Sequence, residues 1–88
     1  MTCGLCERDV DALTVHHLVP RSRLKKGDAV PTVSICSACH RQIHALFDNR
    51  ELADEYNTVE RLRDEPRMQR FLRWIRKVDP NKRVRVRR

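Results

Sequence analysis

All four histidines and all four cysteines of this 88-residue chain fall in three short segments. Cys3-Gly4-Leu5-Cys6 comes first, then Val15-His16-His17-Leu18-Val19-Pro20, then Cys36-Ser37-Ala38-Cys39-His40-Arg41-Gln42-Ile43-His44. Thiols and imidazoles are ligands for borderline divalent metals, so the spacing reads as ligand spacing. Each Cys-x2-Cys turn holds two thiolates at the angle tetrahedral zinc requires. The two knuckles, 29 residues apart, together saturate one ion and leave no position for water. Cys3, Cys6, Cys36 and Cys39 thus form a candidate structural Zn2+ site. A zinc finger built on Cys3, Cys6, His40 and His44 fits less well, because 33 residues separate Cys6 from His40, against roughly 12–15 in such fingers. A redox role for two Cys-x2-Cys motifs lacks the accompanying thioredoxin-like pattern.

The histidines suggest chemistry rather than scaffolding. His40 and His44 stand at i and i+4, on one helix face and one turn apart, which suits two ligands of one ion. His16 and His17 are neighbours on a β-prone run, so their side chains point to opposite faces and should do different work. One can complete a metal site with His40 and His44. The other stays free, and an imidazole that titrates near neutrality beside a metal is a natural general base for water.

These residues need short, well-placed elements. Leu13-Thr14-Val15 begins a strand that ends at the histidine pair and is stopped by Pro20. Arg21 to Asp28 reads as a basic loop turning at Gly27. Val30 to Ile35, β-branched at 30, 32, 33 and 35, reads as a second strand. The spacing predicts a helix from Ala38 or Cys39 to about Phe47, interrupted or re-capped at Asp48 or Asn49 and continued over Glu51 to Tyr56. Asn57-Thr58-Val59-Glu60 has the form of a capping box opening a short helix that ends before Pro66. Pro66 then opens the most amphipathic helix, with Met68, Phe71, Leu72, Ile75 and Val78 on one face and Arg70, Arg73 and Lys77 opposite. Trp74, flanking the apolar face, is read as a core residue rather than a stacking platform. Pro80 closes that helix, and Lys82 to Arg88 forms an extended basic arm.

Length and composition bound the rest. A chain this short forms one domain, here residues 1–88, with a knuckle-and-histidine core over 3–49, a helical extension over 50–79 and the arm over 80–88. Two Phe, one Trp and one Tyr make a small core, so a metal staple is expected. The N-terminus lacks a basic start followed by an apolar run, and no segment approaches a membrane span of roughly 18 residues. The expectation is a cytoplasmic, intracellular protein with reduced thiols. Residues 1–66 carry 9 Lys/Arg against 11 Asp/Glu, while residues 67–88 carry 10 against one. A basic C-terminal quarter on a near-neutral body points to a polyanionic partner, foremost DNA. Monomer and homodimer are both left open.

The order Cys-x2-Cys, strand, His-His-x2-Pro-Arg-Ser, strand, Cys-x2-Cys-His-x3-His, helix resembles the HNH (ββα-metal) endonucleases that carry an added zinc site. The resemblance covers residues 3–49. It implies an α+β fold: a ββα-metal core with a four-cysteine zinc site and C-terminal helices. By this resemblance His16 is a metal ligand, His17 activates water, and His40 and His44 are further ligands, His44 being the position at which members differ. One position departs from the pattern. The family's middle Asn, which orients the base, falls at Pro31, next to Thr32; Thr32 or a backbone carbonyl is the available substitute.

The resemblance implies a metal-dependent endonuclease that nicks DNA with low sequence specificity. His17 takes the proton from water, and a divalent ion on His16, His40 and His44 stabilises the phosphate and the departing oxygen. Three imidazoles favour Zn2+, Ni2+, Co2+ or Mn2+ over Mg2+ by ligand type, although the family often works with Mg2+ or Mn2+. Arg21 and Arg23 are placed to brace the phosphate. Arg70, Arg73 and Lys77, with Lys82, Arg83, Arg85, Arg87 and Arg88 of the arm, would supply phosphate contacts independent of sequence. The rival reading is a non-catalytic zinc-ribbon module that binds nucleic acid. A zinc-stabilised protein-interaction adaptor would explain the cysteines but not the histidine set.

Overall fold

The computed structural model describes residues 1–19, 27 and 31–78. Pro20, Arg21, Arg23 and the arm with Lys82, Arg83, Arg85, Arg87 and Arg88 lie outside the described residues. The protein is α+β, with a two-stranded antiparallel sheet followed by helices. Strand β1 (Thr14–His17) pairs with β2 (Thr32–Ile35) in the register Thr14↔Ile35, Val15↔Ser34, His16↔Val33 and His17↔Thr32. Four helices follow: α1 (Ser37–Leu46), α2 (Asn49–Asp54), α3 (Val59–Asp64) and α4 (Pro66–Ile75).

The helix boundaries have local causes. Asp48 and Glu51 form a reciprocal capping box: Glu51 N donates to Asp48 Oδ1 at 2.8 Å and Asp48 N to Glu51 Oε1 at 3.2 Å. The cap of α3 is Thr58, whose hydroxyl accepts from Arg61 N at 3.1 Å, one residue later than the expected box on Asn57. Asn57 is diverted to the end of α2, donating from Nδ2 to Ala53 O at 3.0 Å. Helix α4 opens with Pro66 at its first position and Glu65 as cap, accepting from Met68 N at 3.0 Å. It closes at Ile75, short of Pro80, because the backbone tightens to i→i−3 bonds: Lys77 N to Trp74 O and Val78 N to Ile75 O.

One core joins the sheet and the four helices. Its most buried members are Leu5, Ile35, Ile43, Leu52, Leu62, Met68 and Ile75, with Phe47, Phe71 and Leu72 beside them. Trp74 does not join it. The side chain is 50% exposed, which overturns its reading as core. The residues that do pack, Met68, Phe71, Leu72 and Ile75, form a compact arc, and Trp74 falls at its edge, touching Phe71 at a ring separation of 6.0 Å.

The N-terminal knuckle lies flush on β2. Gly4 N donates to Ser34 O at 2.9 Å, and a Cβ at Gly4 would meet Val33 Cγ2 at 2.6 Å and Ser34 O at 3.0 Å, so only glycine permits this approach. Thr2 and Asp9 bridge across the knuckle, and Glu7 turns the chain in a left-handed conformation at φ 67.

Two candidate metal centres on one helix

Helix α1 carries ligands for both centres. Its N-cap is Cys36, which offers no side-chain cap bond, and Cys39 lies in its first turn. Thiolates there meet the positive end of the helix dipole. Cys3 and Cys6 complete the set, all four buried and none in a disulfide. The Cys3–Cys39 and Cys6–Cys36 sulfurs are each 3.8 Å apart. A tetrahedron with Zn–S bonds of about 2.3 Å has edges of about 3.8 Å, so the cluster has the dimensions of a zinc site. Cys3 Sγ accepts backbone N–H groups of Leu5, Cys6 and Cys36 at 3.3 to 3.4 Å, which favours its thiolate. Hydrogen bonds from Cys36, then Cys39 and Cys6, hold the Cys3 thiol far below its ordinary range.

A cationic partner missed by sequence reasoning sits against these sulfurs. Arg8 is buried, with Nε 3.4 Å from Cys6 Sγ, Nη2 3.5 Å from Cys36 Sγ, and Nη1 donating to Val78 O at 3.2 Å. Four thiolates on a dication leave a net double negative charge, and Arg8 offsets part of it. It also fastens the turn after α4 to the knuckle. Nothing in the local sequence announces this, since its partners lie up to 70 residues away.

The second centre collects three of the four histidines. Ligand atoms of His16, His40 and His44 lie within 4.8 Å of one another, and the three rings are 5.1 to 5.4 Å apart. Burial is graded: His16 is buried, His40 half-buried and His44 exposed. Such a site is rooted in the core and open on one side. His16 Nε2 is buried with no hydrogen-bond partner among the described residues, as expected of an atom shaped to bind an ion. Burial, followed by the nearby His40, His44 and His17, lowers the pKa of His16 to about 4, and burial together with His44 and His17 lowers that of His40. Both imidazoles are therefore neutral at neutral pH, the form that binds metal.

Thr14 sets the orientation of His40. Its Oγ1 lies 3.1 Å from Ile35 O and 2.8 Å from His40 Nδ1. A carbonyl can only accept, so the hydroxyl proton goes to Ile35 and His40 donates from Nδ1. His40 Nε2 is then bare and free to ligate. Thr14 and His16 stand at i and i+2 on β1, facing the same side. His17 therefore faces the other way, half-buried and outside the three-histidine cluster, with Thr32 directly across from it in β2. A cleft of about 510 Å³ opens beside the cluster, lined by Thr14, Ser37, His40, Arg41, His44 and Ala45. Arg41 escaped the sequence reading, although it directly follows His40. Arg70 and Arg73 on α4, and Lys77 in the turn that follows it, are exposed.

A ββα unit carrying a closed four-thiolate centre and an open three-imidazole centre defines a metal-binding protein of the ββα-metal type. The chain belongs to the HNH endonuclease family, whose model matches residues 1–46. It is also similar to the uncharacterized protein YisB of Bacillus subtilis (strain 168), at 44% identity over 84 residues, covering 96% of this chain and 82% of that protein. No solved structure matches it. Family membership associates the chain with nucleic acid as substrate or ligand. Among the described residues no helix is long and apolar enough to cross a membrane.

Proposed function

We propose that the protein is a metal-dependent endonuclease that nicks DNA. The observation that carries this reading is the convergence of His16, His40 and His44 with the fourth histidine, His17, held just outside the cluster. A binding module that needs only a folded shape has no use for a second, half-open set of imidazole ligands.

A divalent ion bound by the three histidines supplies Lewis-acid stabilisation of phosphate charge. The chain's own residues do the rest. His16 anchors the ligand set in the core, and Thr14 keeps His40 in the Nδ1–H tautomer. His17 receives the proton of the attacking water on an imidazole nitrogen. Thr32, its cross-strand neighbour, takes the orienting place of the family's Asn. Arg41 at the cleft, with Arg21 and Arg23, braces the phosphate. The basic face of α4 and the arm of Lys82, Arg83, Arg85, Arg87 and Arg88 hold the backbone without reading bases. The four-cysteine centre, which suits zinc, holds the scaffold.

One histidine centre addresses one strand at a time, so a monomer should convert supercoiled plasmid to open circles with 5′-phosphate and 3′-hydroxyl ends. Plasmid nicking across Mg2+, Mn2+, Zn2+, Ni2+ and Co2+ tests this. Open circles appearing first support the reading, and direct linearisation would require two coordinated copies. Binding without cutting in every metal would support the non-catalytic module, which the replacement of the motif Asn by Pro31 favours.

A further inference from the structure

A groove of about 380 Å³ lies between α3 and α4, lined by Arg63, Gln69, Leu72, Arg73 and Arg76. None of its lining residues is acidic, and three are arginines. Two of the three are braced from behind by the zinc knuckle. Arg63 Nη2 donates to Gly4 O at 2.8 Å, and Arg76 Nε donates to Cys6 O at 3.2 Å. Arg63 Nε is buried with no hydrogen-bond partner among the described residues. Arg73 is exposed on the same side of α4.

Resting on the reading that the protein acts on DNA, we infer that this groove is a phosphate-binding site for the nucleic-acid backbone, separate from the histidine centre. A guanidinium whose stem and one N–H are already fixed loses little freedom when its remaining N–H groups meet a phosphate. Gln69 adds an uncharged donor. Glu7 Oε1 lies 3.5 Å from Arg63 Nη2 and would compete with a phosphate for that guanidinium. Because the braces are carbonyls of Gly4 and Cys6, the shape of the groove depends on the four-cysteine centre. The zinc knuckle thereby gains a role in substrate binding as well as in folding. Continuing from Arg73, the exposed face presents Arg70 and Trp74 on α4 and Lys77 in the turn beyond it. The backbone path leads from the groove along this face.

The test measures binding of a labelled DNA duplex by zinc-loaded full-length protein in a His17→Ala background, across salt concentrations. Arg73→Glu should weaken binding about tenfold at low salt and reduce the log–log salt slope by about 0.9, the loss of one phosphate contact. Glu7→Gln should tighten binding. Arg50→Glu, an equal charge change on exposed α2, is the control and should have a much smaller effect. With His17 restored, Arg73→Glu should raise KM and leave kcat nearly unchanged. Equal effects of Arg73→Glu and Arg50→Glu would overturn the groove, as would absence of DNA binding by the parent protein. Binding that depends on Arg73 without cleavage in any metal would sustain the groove and overturn the nuclease reading alone.

Discussion

The two centres share one helix and differ in almost every physical respect. The cysteine centre closes four buried ligands on one another at the start of the helix and is backed by Arg8. The histidine centre offers three ligands that grade from buried His16 to exposed His44. Four ligands saturate an ion, whereas three leave it open to water and substrate. A chain of 88 residues with a small core divides its labour in this way. A metal on the four cysteines would stand in for missing apolar area, and the rigidity it would give α1 would position His40 and His44.

Removing the scaffold should do the most damage. Cys36→Ser breaks the closed centre while leaving a good N-cap residue on α1, and should abolish the cooperative thermal transition and the native circular-dichroism signal. A variant that still melted cooperatively near the wild-type temperature would show that the apolar core suffices alone. Next, His40→Ala and His17→Ala should separate within the open centre. His40→Ala loses both the exchangeable metal and cleavage. His17→Ala should cut about 10²–10⁴-fold more slowly while binding metal as before. Loss of metal in His17→Ala would mean the strand histidines have exchanged roles.

Thr14→Val probes the open centre without deleting a ligand. With no oxygen to receive the Nδ1 proton, His40 loses its fixed tautomer, and affinity for the exchangeable metal should fall about 10–100-fold. Calorimetric titration with Co2+ measures this, and the four-cysteine metal should be retained in full. A subtler change concerns strain beside the closed centre. Glu7 adopts the left-handed conformation at φ 67. Replacing it with glycine relieves strain but gives up the exposed pair with Arg63 and adds unfolded-state entropy, leaving a net gain of about 0.5 kcal/mol in denaturant unfolding. A net loss would show that the Arg63 pair outweighs the strain.

The gathering of these cysteines and histidines into two clusters was legible in the sequence because candidate ligands declare themselves by residue type and local spacing. The strands, α1 and the Pro66 opening of α4 followed from β-branching, helical phase and proline chemistry. What escaped depends on distance. Arg8, Arg63 and Arg76 find their partners in sulfurs and carbonyls elsewhere in the chain. Trp74 looked apolar by type, but the arc that α4 buries ends before reaching it. The cap of α3 moved from Asn57 to Thr58 because either side chain can cap, and the preceding helix end claimed Asn57.

Two metal centres of unlike character should release their ions in unlike ways. Metal analysis of zinc-saturated protein, followed over time against a dilute chelator, measures this. Two ions per chain are predicted: one released rapidly, with loss of cleavage but retention of the fold, and one released slowly, with unfolding. His40→Ala should retain only the slow ion. A single ion per chain at saturation, or two released together with the fold, would contradict the division between a closed scaffold and an open reactive site.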